Sequence, residues 1–146
     1  MRASDLMAIM RFESGLRPEA VNPTSHAVGL IQFLPRTAAD LLDLPMTPDR
    51  ESQAVRAFAS MSADEQLEYV EDYLARVLGS RGAATLRDAY MAVLYPAAVG
   101  RGDGYIIAQA DAASALGRAV YRQNAGLDTN GDGVITAGEA AMRVRG

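Results

Sequence analysis

The chain has 146 residues, 49% of them hydrophobic, and contains no cysteine. That suffices for one compact domain with a real core, and it removes disulfides and thiolate metal sites from consideration. The net charge is −4, and the 14 basic residues, all arginine, are evenly spread, which argues against a binder of nucleic-acid backbone; no apolar run nears the roughly 20 residues of a membrane span.

The opening stretch, MRASDLMAIMRFE, carries charges at both ends of a short apolar patch and has no small-residue cleavage site. It reads as the first helix of the fold rather than a signal peptide. Ser4 or Asp5 caps this helix, which runs to about Glu13. Residues 14–34, rich in Gly, Pro, Asn, Ser and Thr, form a long ordered loop, and the apolar block AVGLIQF within it marks it as functional. Pro35 opens a short helix in PRTAADLLDL, and Thr47-Pro48 opens another to about Met61. Ser62 and Glu65 make a capping box for a helix through LEYVEDYLARVL to Gly79. Its apolar face is Leu67, Val70, Tyr73, Leu74, Val77 and Leu78. ATLRDAYMAVLYPAAV is a strongly apolar helix expected at the centre of the core. GRGDG then breaks the chain, and a last helix at about 114–125 leads into LDTNGDGVITAGEAAMRV. No strand pattern persists, so the fold class is mainly α. The absence of lysine beside abundant alanine points to a GC-rich coding genome.

Leu6, Ile9 and Met10 lie seven, four and three residues before Glu13, so the four share one helical face. With Leu6 and Met10 against the core, the Glu13 side chain turns inward where the helix stops. Such a carboxylate loses hydration and its pKa rises, as a general acid working near neutral pH requires. The alternative is a solvated glutamate at a helix C-terminus, a place the macrodipole disfavours.

ESGL at residues 13–16, Asn22-Pro23, and Gly29-Leu30-Ile31-Gln32-Phe33 together resemble the lytic transglycosylase and goose-type lysozyme family. Its signature is a catalytic Glu followed by Ser, with a G-L-(M/I)-Q block downstream. The agreement covers residues 5–42 and extends more loosely to about residue 100. The resemblance implies a lysozyme-like helical fold with a long active-site loop. The catalytic domain is expected over residues 1–110, with 111–146 as a C-terminal helix and loop packed on it. The implied substrate is the β-1,4 bond between N-acetylmuramic acid and N-acetylglucosamine in peptidoglycan. Glu13 is then the single acid/base, Ser14 seats the helix end, and Asn22 contacts an acetamido group. Gly29 admits the sugar close to the backbone, and Gln32 is the cleft glutamine near Glu13. The family's A-Y-N-A-G block corresponds to Leu94-Tyr95-Pro96-Ala97-Ala98, so Tyr95 is the candidate cleft tyrosine. Pro96 stands where the family has asparagine, and the alternative for Tyr95 is a core tyrosine.

One carboxylate serving both proton transfers yields a 1,6-anhydro product and needs no organic cofactor. A second acid would make the protein a hydrolysing muramidase; Glu19, Asp40 and Asp43 are the nearest candidates, and Asp40 and Asp43 read as solvent-facing. A chitinase on the same scaffold, or a non-catalytic calcium-stabilised glycan-binding module, are the other readings. His26, the only histidine, reads as a polar loop residue. The expected setting is a monomeric domain from a larger cell-wall-degrading protein, in a phage tail or in the bacterial periplasm or cell wall, with the peptidoglycan strand as partner.

DTNGDGVITAGE, residues 128–139, matches an EF-hand calcium loop at every ligand position. Asp128, Asn130 and Asp132 stand at positions 1, 3 and 5, and Gly133 at the sharp turn. Val134 offers its carbonyl, Thr136 holds a water, and Glu139 binds bidentately. A single such loop, with a short helix after it, reads as a structural clip on the C-terminus rather than a sensor.

Overall fold

A helix of 12 residues, α1 (Ala3–Ser14), opens the chain. In the computed structural model, which describes residues 1–146, the chain divides into two units. One is Met7–Gly79; the other is Met1–Leu6 together with Ser80–Gly146. The division falls at Gly79 and not at residue 110, because the segment after GRGDG pairs with the C-terminal loop, as described below.

In the Met7–Gly79 unit, α1 ends where Gly15 and Leu16 both turn to positive φ, and the Leu16 amide bonds back to the Met10 carbonyl at 3.3 Å. Ile9 and Met10 are buried, while Leu6 and Glu13 are half-buried, so the expected face is realised with Ile9 at its centre. The loop that follows pairs with itself. Val28 bridges antiparallel to both Val21 and Phe33, and Val28 and Phe33 exchange two amide–carbonyl bonds of 2.9 Å. Helices α2 (Pro35–Leu41) and α3 (Arg50–Ala59) pack on each other.

Helix α4 (Ala63–Leu78) begins at the capping box that the sequence announces, with Ser62 accepting from the Glu65 amide and Glu65 accepting from the Ser62 amide. Those bonds hold the Glu65 carboxyl below its ordinary value. Val70, Leu74 and Leu78, each four residues apart, are buried, and so is Gln66 one turn earlier. Around them Phe33, Phe58, Tyr69 and Tyr73 form a ring cluster, with centroids 5.2 to 5.4 Å apart in tilted and edge-on pairs. Burial raises the Tyr73 hydroxyl pKa.

In the other unit, α5 (Leu86–Leu94) is capped by Thr85 and buries Leu86, Ala89, Tyr90, Met91 and Ala92, as its apolar sequence requires. It packs against α7 (Ala137–Arg145). Between them lie two short strands that the sequence reading missed. Strand β1 (Ile106–Gln109) pairs antiparallel with β2 (Val134–Thr136), with an irregularity between Ile106 and Ala108. Helix α6 (Ala115–Gln123), capped by Ser114, leads into the Asp-rich loop and buries none of its residues. The fold is mainly helical with one two-stranded sheet.

Candidate active site and candidate metal loop

Glu13 sits in the last turn of α1, half-buried, and Ser14 beside it is buried. The Ser14 hydroxyl lies 3.0 Å from the Met10 carbonyl and 2.9 Å from that of Leu30. The first contact is the back-bond that serines make inside helices; the second ties the helix end to the Gly29–Phe33 block across 16 residues. Ser14 therefore ties the end of α1 to the loop.

The loop block is held from the other side by Gln66, which is 0% exposed. Its Oε1 accepts from the Leu30 amide at 2.9 Å, and its Nε2 donates to the carbonyls of Pro18 at 2.6 Å and Phe58 at 2.7 Å. Every polar atom of this buried amide is thus matched, as a buried group must be. Gly29 follows from it. A Cβ at Gly29 would stand 2.5 Å from Gln66 Oε1, and the residue adopts φ of +87°, which side chains rarely take. The glycine is needed by the amide packed on it, and the residue is buried.

Gln32, at φ of +58°, donates from Nε2 to the carbonyls of Ala20 at 3.2 Å and Gly29 at 3.0 Å, bracing the loop from within. Asn22 is exposed; its Oδ1 accepts from the amides of Thr24 at 2.8 Å and Ser25 at 3.0 Å, forming the tip of the hairpin. His26 is exposed at φ of +62°. Glu13, Ser14, Asn22, Gly29 and Gln32 all belong to the Met7–Gly79 unit, and Tyr95 to the other, where it is 38% exposed at the C-terminus of α5. Asp40, Asp43 and Glu19 are exposed, and Asp40 pairs with Arg50 at 2.9 Å. Gln66 escaped the sequence reading. The signal available was its place four residues before Val70 on the buried stripe of α4.

Residues 1–60 match the family model of the Transglycosylase SLT domain. No curated protein and no solved structure matches the chain. The matched segment ends at α3 and includes Glu13, Ser14, Asn22, Gly29 and Gln32. Gln66, which bonds to the loop of the matched segment, lies six residues beyond its end, and Tyr95 and the Asp-rich loop lie further on. The match supports glycosidic-bond cleavage in peptidoglycan as the activity of this kind of domain.

In the C-terminal loop Asp128, Asp132 and Glu139 each bring one carboxylate oxygen within 4.8 Å of the others. Backbone amides shape the loop. Asp128 Oδ1 accepts from Gly131 at 3.0 Å and Asp132 at 3.2 Å, and Oδ2 from Gly133 at 2.9 Å, where φ is +81°. Tyr121, at the end of α6, donates its hydroxyl to Asp128 Oδ2 at 2.6 Å. That bond lowers the Asp128 pKa and raises the Tyr121 pKa. Glu139 opens α7 in a capping box with Thr136 and accepts from Thr129 through its other oxygen. Ile135 is fully buried on β2.

Proposed function

We propose that this protein is a lysozyme-like lytic transglycosylase that cleaves the MurNAc–GlcNAc β-1,4 bond of peptidoglycan with Glu13 as its single acid/base. The observation that carries the reading is the match of residues 1–60 to the SLT domain, together with the way Ser14, next to Glu13, ties the end of α1 to the Gly29–Phe33 block that Gln66 holds in turn. A catalytic carboxylate works only from a fixed position, and a helix end that is tied down supplies one.

In the first step the protonated Glu13 carboxyl gives its proton to the glycosidic oxygen as the C1–O bond breaks, and the substrate's own acetamido oxygen stabilises the cationic C1. In the second, the Glu13 carboxylate takes the proton of the muramic C6 hydroxyl as that oxygen bonds to C1, closing the 1,6-anhydro ring. No water is consumed. The exposure of Glu19, Asp40 and Asp43, with Asp40 engaged by Arg50, supports a one-carboxylate mechanism over a two-carboxylate hydrolase. Asn22 is a proposed substrate contact, and a phage tail or the bacterial cell wall the proposed setting.

The loop at 128–139 is proposed to bind calcium as a structural clip. Its donor set is all oxygen, the choice of a hard cation, and three carboxylates converging within 4.8 Å repel one another without one. Asp128, Asn130, Asp132 and Glu139 would hold it by their side chains, Val134 by its carbonyl and Thr136 through water. The ion would supply cross-linking between the ends of α6 and α7.

Glu13→Gln tests the catalytic reading. Turbidity clearing of purified cell walls should fall at least about hundredfold, the share a general acid/base contributes. Mass spectrometry of the wild-type digest should show anhydro termini; reducing termini, or clearing that survives the substitution, would sink the proposal.

A further inference from the structure

Helix α6 is nine residues long, buries none of them and leaves Leu116 76% exposed. It runs beside β1, yet a helix of under about 12–15 residues is marginal in water without a packed face to support it. Most of its side-chain bonds are local. Ser114 Oγ accepts from the Gly117 amide at 2.9 Å, Arg118 donates to the Ala112 and Ala113 carbonyls at 2.7 and 3.1 Å, and Asn124 donates to the Val120 carbonyl at 2.9 Å. These bonds hold the helix to itself and to its own entry. The bond from the Tyr121 hydroxyl to Asp128 Oδ2 at 2.6 Å does something else: it joins the helix to the first residue of the 128–139 loop.

The carboxylate that Tyr121 meets is already held by the loop's own backbone. Gly133 donates to the same oxygen, and Gly131 and Asp132 donate to Oδ1. Tyr121 adds the donor that comes from outside the loop. An O–H donor this close to an ionised oxygen stands at the short, charge-assisted end of hydrogen bonding. Such a partner fixes the rotation of a ligating carboxylate, and outer partners of this kind tune metal affinity. The coupling also runs in reverse: what the helix contributes to binding of an ion, the ion returns to the helix.

We infer that the Tyr121 hydroxyl joins calcium binding to the order of α6, positioning Asp128 for the ion and gaining a fixed anchor for a helix that buries no residue of its own. The inference rests on the calcium clip proposed above and names the element that the clip secures. A short turn, Ala125–Leu127, separates α6 from Asp128, and Leu127 within it is buried. The loop is therefore fastened to the core independently of the helix, and α6 can loosen while the loop stays in place. Tyr121 spans that turn, so its hydroxyl carries the coupling.

The test pairs calorimetric titration of calcium with hydrogen exchange of the amides of residues 115–123, on the full chain and on Tyr121→Phe. The phenylalanine keeps the ring and removes the hydroxyl, so the variant should fold, and circular dichroism would verify that. Calcium should bind the variant about 3- to 30-fold more weakly than the wild type. Saturating calcium should slow exchange across 115–123 by about the same factor in the wild type, and by less than about twofold in the variant. Tyr69→Phe, on α4 in the other unit, should match the wild type in both measurements. An unchanged affinity in Tyr121→Phe, or a wild-type α6 whose exchange ignores the ion, overturns the inference and leaves the clip standing. A wild type that takes up no calcium overturns both. Should the variant not fold, exchange of the wild type with and without the ion decides alone.

Discussion

Replacing Gln66 with leucine keeps the size of the side chain and deletes its amide. Three backbone groups then lose a partner. The Leu30 N–H is the costly one, being buried with Gln66 Oε1 as its acceptor at 2.9 Å. The Pro18 carbonyl is only partly buried, and the Phe58 carbonyl still accepts from Met61 at 3.0 Å. An orphaned buried donor costs about 1–3 kcal/mol and each ordinary bond about 0.5–1.5 kcal/mol, so Gln66→Leu should destabilise by about 4 kcal/mol. For a chain of this size that is a fall of about 8–16 °C in Tm, read by scanning calorimetry. Gln66→Glu sharpens the argument. Its second oxygen would face the two carbonyls now served by Nε2, so the native state favours the protonated acid and raises its pKa. Stability is then fullest below the ordinary carboxylate value and is lost as pH rises through the folded-state value. If Gln66→Leu melts within about 3 °C of the wild type, or if Gln66→Glu is no more sensitive to rising pH than its parent, this amide does not hold the loop.

Gly29→Ala brings a methyl to 2.5 Å from Gln66 Oε1 at φ of +87°; a loss of about 2–4 kcal/mol is expected in urea titration, and near-wild-type stability would show that Gln66 yields easily. Calcium at a hundredfold excess over its Kd should stabilise the chain by about 2.7 kcal/mol, visible as a Tm rise that EDTA reverses and that Glu139→Gln abolishes. No shift on adding the ion would reject the clip. Glu65, held below its ordinary pKa by the Ser62 amide, stabilises α4 above that ordinary value, and the contribution disappears as pH falls through the lowered folded-state value. The Tm gap between wild type and Glu65→Gln should therefore narrow in acid, and a gap constant from pH 3 to pH 7 would contradict it.

The features legible in the sequence are those written in local spacing. The face of α1 leading to Glu13, the Ser62–Glu65 box and the buried stripe at Val70, Leu74 and Leu78 all depend on residues within one or two turns. What was missed depends on distance along the chain. Strand β2 has three residues, too few to show alternation, and its partner β1 lies 25 residues upstream. Pairing between them joined the segment after GRGDG to the C-terminus and moved the boundary from residue 110 to Gly79. Gln66 reads as a solvated residue because its partners are 36, 48 and 8 positions away. Gly29 invited a reading in terms of ligand approach, whereas its demand comes from that same distant amide.

The double pairing of Val28 gives the long loop two very different tolerances. Residues 22–26 project as an exposed tip, closed by the Asn22–Ala27 and His26–Asn22 bonds. Length variation or a fused tag placed there would leave the rest of the loop undisturbed. Between residues 28 and 33 a single inserted residue would slip the register and carry Phe33 out of its ring cluster. Grafting new glycan preferences onto this scaffold should therefore begin at the tip and leave the node at Val28 untouched.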